Sequence, residues 1–153
     1  MKLLPPDRVT LSPPTGDMPQ SRLTLGAHQT TISGIRLEAA YLLEDDDPIA
    51  GYLFFSSDDV LYEDVLTITL TDPDLRILDL AWIGAPYDTA LWQGVRIAGP
   101  GTIDFSLDQD GAWRVTILPR PEWRLPLPGT DGWIWRKMQF RRHFRIARNR
   151  DDG

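Results

Sequence analysis

The stretch LTITLTDPDLRILDLAWI, running from Leu66 to Ile83, decides the fold class of this chain. Leu66, Ile68 and Leu70 alternate with Thr67, Thr69 and Thr71, a period of two that puts the apolar groups on one face of an extended strand. TDPDL at 71–75 then sets Pro73 between two aspartates, residues that pre-form a tight turn. A second apolar run reaches Ile83. Strands over 63–71 and 75–83 are therefore expected to pair as a hairpin.

The same period recurs on both sides. Ile35, Leu37, Ala39, Tyr41 and Leu43 form one apolar row, Ile103, Phe105 and Leu107 another, and Trp113, Val115 and Ile117 a third. DQDG at 108–111 ends in a glycine suited to positive φ, which joins 102–108 to 112–118 as a second hairpin. GPG at 99–101 is a further breaker. Ala50 to Phe55 is apolar on both faces, the mark of a central strand. The only helical turn expected lies around Asp88 to Gln93. Together these features predict an all-β chain: a single antiparallel β-sandwich or barrel-like domain of about seven to nine strands.

Residues 1–21 contain five prolines and no clear periodicity, and they read as a proline-rich arm ahead of a β domain over 22–150. The start is too rich in proline for a signal peptide, and no window holds the ~18 apolar residues of a membrane span. The chain has no cysteine, so thiolate chemistry and disulfides are excluded. A soluble, cytoplasmic protein is expected.

The charge is divided unevenly along the chain. Residues 1–132 hold 9 basic and 20 acidic side chains, net −11, whereas residues 133–153 hold 7 basic and 2 acidic, net +5. The basic ending, WIWRKMQFRRHFRIARNR at 133–150, reads in two ways. As a helix it carries Lys137, Arg141, Arg145 and Arg148 on one face, a pattern suited to an anionic membrane or an acidic partner. As a strand, Met138, Phe140, Phe144 and Ile146 face the core, with Arg142 awkwardly among them. The β context favours a basic terminal strand over 136–147, whose arginines blunt the sheet edge and face carboxylates such as Glu38, Asp104 and Asp108.

Chemistry-bearing motifs are sparse. The acidic segments EDDDP at 44–48, DD at 58–59 and ED at 63–64 lack the glycine and terminal glutamate of a calcium loop and read as solvated turn formers. Two histidines, His28 and His143, are the only imidazoles. Ser56 and Ser57 lack a nucleophile-elbow context, and there is no phosphate loop or dinucleotide fingerprint. No cofactor and no metal site is assigned, and no catalytic residue is singled out. Of the six tryptophans, Trp113 falls on a core row and Trp82 ends an apolar strand. Trp92, Trp123, Trp133 and Trp135 sit in segments flanked by proline and glycine, and two of them exposed together would mark a binding surface.

The reading that follows is a small acidic β domain, not an enzyme, that binds a protein partner in the manner of an adaptor or immunity protein. Asp45, Asp46, Asp58 and Asp59 would steer a partner with a basic surface, and Trp133 and Trp135 would anchor it. The alternative is a carbohydrate- or lipid-binding, or hydrolytic, β-sandwich with a metal-assisted acidic loop site. Nucleic acid is the weakest candidate partner, because an acidic body repels phosphate.

Overall fold

In a computed structural model of the chain, the Leu66–Ile83 stretch is an antiparallel hairpin inside a larger sheet. The structure describes residues 1–13, 16–17, 20–58, 65–84, 92–107, 112–125, 134–136 and 139–149. Among these, the regular elements are thirteen antiparallel strands and one 3-10 turn at Pro6–Arg8. The strands are β1 (Lys2–Leu3), β2 (Val9–Ser12), β3 (Gln20–Leu25), β4 (His28–Ser33), β5 (Arg36–Leu43), β6 (Gly51–Ser57) and β7 (Leu66–Thr71). They continue with β8 (Ile77–Ile83), β9 (Trp92–Gly99), β10 (Thr102–Leu107), β11 (Ala112–Trp123), β12 (Ile134–Arg136) and β13 (Arg141–Asn149).

They form three sheets, ordered β1-β5-β6-β7-β8-β12, β13-β11-β10-β9 and β2-β3-β4. The six-stranded sheet is central. Tyr41, Leu53, Phe55, Ile68 and Ile83 on one of its faces pack against Ile103, Phe105, Trp113, Val115, Ile117 and Phe144 of the four-stranded sheet. Its other face carries Ala40 and Phe54, which pack with Val9, Leu23 and Ile32 of the three-stranded sheet. β6 lies between β5 and β7, which explains why its sequence is apolar on both faces.

The fold is all-β and sandwich-like, but the strand count exceeds seven to nine. The surplus comes from segments that period two could not reveal. β1 and β12 are two and three residues long, too short to show a period. β2 lies within the proline-rich residues 1–21, where Val9–Ser12 pairs with β3, and Lys2 and Leu3 pair with Leu42 and Tyr41 of β5. The helical turn expected at 88–93 falls partly outside the described residues, and its last two positions, Trp92 and Gln93, open strand β9. The alternation in β7 does not leave a solvated face. All six of its residues are buried, the threonines sharing the face of Tyr52 and Phe54.

One carboxylate of the EDDDP turn ties three segments together. Asp47 is buried and accepts the Glu44 N–H at 2.8 Å and the Gly101 N–H at 2.7 Å, while the Met1 ammonium lies 2.7 Å away. Burial alone would raise its pKa, but these donors outweigh it and hold the carboxyl below the usual range. Gly101 has φ +60°, and a Cβ there would lie 2.5 Å from the Pro48 ring. Only glycine fits this turn.

Candidate functional site

The basic ending divides into an inner and an outer part, and the division follows from where β11 and β13 stop pairing regularly. β13 pairs with β11 from Ala112↔Asn149 to Ile117↔Phe144, then the register shifts and pairing resumes at Glu122↔Arg142 and Trp123↔Arg141. Pro119 and Pro121 lie in that gap, and a residue without an N–H cannot complete a ladder. The bulge relieves the mismatch and turns the strand ends away.

On the inner side, Arg136 of β12 and Asp79 of β8 form an ion pair at 3.1 Å, their side chains 12% and 1% exposed. The Asp79 carboxylate also accepts the backbone N–H groups of His143 at 2.7 Å and Phe144 at 3.3 Å, and the Gln139 amide at 2.9 Å. Arg136 donates in turn to the Phe144 carbonyl at 2.8 Å, with its guanidinium 4.5 Å from the Phe144 ring centre. Two side chains of one sheet thereby satisfy the edge of the other, beside a fully buried phenylalanine. Burial lowers the Arg136 pKa, and the Asp79 charge opposes that shift.

These partners differ from the expected ones. Asp104 is held by Arg114 of β11 and Arg96 of β9, at 2.6 and 2.9 Å, so it closes a ladder across three strands without using the basic ending. Its hydrogen bond from Arg114 holds its carboxyl below the usual range, with Arg96 adding to the effect against burial. Glu38 takes Arg36 and the Ser57 hydroxyl, and Asp108 lies outside the described residues. Arg142, expected to point into the core, is half-buried opposite Glu122 beyond the bulge. Phe140 is not on the core row. It precedes β13, is 56% exposed, and its carbonyl accepts the Arg124 N–H.

On the outer side, the ends of β11 and β13 form a two-stranded tip. β10 stops pairing with β11 at Thr116, and among the described residues the ladder beyond Ile117 consists of β11 and β13 alone. Trp123 is 71% exposed, Leu125 72% and Phe140 56%. The guanidinium of Arg141 lies 4.9 Å from the Trp123 ring centre, a cation–π contact that presents aromatic and charge together. Arg120 and Arg124 are exposed beside them. Glu122 is the only carboxylate in 119–125 and 139–149, and Arg145 and Arg124 engage it. The Arg145 hydrogen bond lowers the Glu122 pKa.

The anticipated binding residues are spread over the molecule. Asp45 and Asp46 are exposed in the turn before β6, and Asp58 is half-buried after its other end. Seven residues of strand separate them, roughly 20 Å. Trp135 of β12 is 49% exposed and sits directly across from Trp82 of β8, which is half-buried. It shares an end of the central sheet with Asp58, three strands away. Asp59 and Trp133 lie outside the described residues. Trp92 is half-buried against the core, stacked on Phe105 at 5.9 Å and tilted against Phe55 at 5.1 Å.

The hydroxyls of Ser56 and Ser57 donate to the Ser33 carbonyl and to Glu38. His143 meets Asp79 through its backbone N–H, not its ring. Among the described residues no three His, Asp or Glu side chains gather to hold a metal ion, and no helix is long and apolar enough to cross a membrane. Comparison with known protein families, with curated proteins and with solved structures finds no match.

The tip is not legible in the sequence. Trp123 is one of four tryptophans flanked by proline and glycine, but it ends strand β11, where it is exposed. Its grouping with Phe140 and Arg141 depends on a strand that runs through two prolines and on a register shift, neither of which a period of two conveys.

Proposed function

We propose that this chain is a non-enzymatic binding domain for another protein, and that the β11–β13 tip is its contact surface. The observation that carries the reading is the joint exposure of Trp123, Leu125 and Phe140 at one end of the β11–β13 ribbon. Isolated exposed apolar residues are ordinary, but two aromatics and a leucine at one ribbon end, beside arginines, have the composition of an interface centre. The acidic turn with Asp45 and Asp46, together with Asp58 and Asp59, supplies the long-range field that turns away wrong partners. Trp135, beside Trp82 at the edge of the central sheet, is a secondary anchor. A cytoplasmic setting accords with the absence of cysteine.

The test uses the intact protein as bait in a nuclease-treated native lysate, beside a Trp123→Ala/Phe140→Ala variant. Both should melt alike. The intact protein should retain a stoichiometric protein partner, and the variant should lose it. Equal retention by the two baits contradicts this surface assignment.

A further inference from the structure

We infer that the surface the tip recognises is acidic: a short, carboxylate-bearing, partly apolar segment of the partner protein. The inference rests on the binding reading above and specifies its chemistry. It reverses the charge expected of the partner, because Trp123 and Phe140 lie among arginines and not among the acidic turns.

Three features support it. The first is local charge: Arg120, Arg124, Arg141, Arg142 and Arg145 stand at this end of the two segments against one carboxylate, Glu122, which Arg145 and Arg124 engage. The second is geometry. Arg141 is stacked on Trp123, and the Arg124 N–H is bonded to the Phe140 carbonyl, so two guanidinium-bearing residues and two aromatics are fixed to one another across the ribbon. A guanidinium laid on a ring keeps its planar N–H edge for a carboxylate, and a carboxylate on an apolar segment can use that edge while its neighbours cover Trp123 and Leu125.

The third is the rest of the molecule. Residues 1–132 carry net −11, and the turn at Glu44–Asp46 is exposed. An extended polyanion, whether nucleic acid or an anionic bilayer, meets that body as well as the tip and is repelled by it. A short acidic segment meets the tip alone, within about one screening length of ~8 Å at physiological salt. The tip-to-tip approach of two copies is disfavoured because it would set arginines against arginines.

The experiment immobilises the intact chain and titrates four defined probes: a soluble peptide of alternating glutamate and leucine, its lysine counterpart, phosphatidylserine-containing vesicles, and a single-stranded oligonucleotide. The glutamate peptide should bind, with affinity falling at least tenfold from low to high salt. It should fall at least tenfold again in an Arg124→Gln/Arg141→Gln variant that melts as the parent does. Equal binding of the lysine peptide, or binding of vesicles or oligonucleotide without the glutamate peptide, overturns the inference, as does failure of every probe. If the glutamate peptide fails while Trp123→Ala/Phe140→Ala still abolishes partner retention, the charge assignment alone is wrong. If retention survives that variant, the binding reading itself is wrong.

Discussion

Arg136 and Arg141 belong to the same basic ending, five residues apart, yet they serve opposite ends. Arg136 is buried against Asp79 and bonded to a β13 carbonyl, where it closes the fold. Arg141 lies on the surface over the exposed Trp123 ring. The difference shows that the sign of a segment does not fix its role. What decides is what stands across from each: Arg136 meets the Asp79 carboxylate of β8, and Arg141 meets the Trp123 ring of β11.

The largest effect should come from removing both parts. Truncation after residue 132 takes away Phe144, β12 and β13, leaving the β11 edge and the Asp79 carboxylate without partners. Cooperative thermal unfolding should vanish, and a truncated protein that melts as sharply and as high as the intact one would show that the ending closes nothing.

A finer probe replaces the buried pair by apolar residues, Asp79→Leu with Arg136→Met. Many buried ion pairs tolerate such exchange. This one should not, because Asp79 also accepts the His143 and Phe144 amides, which would be left buried without an acceptor. A loss of about 2 kcal/mol or more is expected in chemical denaturation. A neutral exchange would mean that the two amides find water.

That result bears on what could be read beforehand. The rows at 35–43, 66–71, 103–107 and 113–117 were legible because one buried face and a strict period leave little freedom. The central position of 50–55 was legible because both faces are apolar. The junction was not, since Asp79 sits in a strand as one polar residue among apolar ones, and only the crossing of two sheets brings it to β13. Nor was the tip, because prolines at 119 and 121 look like the end of a strand that in fact continues to Trp123.

Acid should destabilise the fold through the carboxylates that its turns and ladders hold ionised. Asp47 and Asp104 have pKa values held below those of the unfolded chain, so their contribution is complete above about pH 4 and is lost as pH falls through the lower folded values. Tyr41 is the opposite case, pushed up to about 12 by burial. Its contribution is complete below about pH 10 and disappears as pH rises towards the folded value. The melting temperature should therefore be level between these limits and fall beyond each. A decline already under way between pH 7 and 5 would point to a different titrating group.

The most direct test of the division sets two melts side by side, Asp79→Ala and Trp123→Ala/Phe140→Ala. Breaking the buried pair should cost about 3–5 kcal/mol, as is usual when one partner of such a pair is removed. The tip variant should stay within about 0.5 kcal/mol per site of the parent, since its side chains face solvent. That outcome assigns the inner arginine to folding and leaves the outer cluster for recognition. Comparable losses in both variants, or a larger loss at the tip, would contradict it.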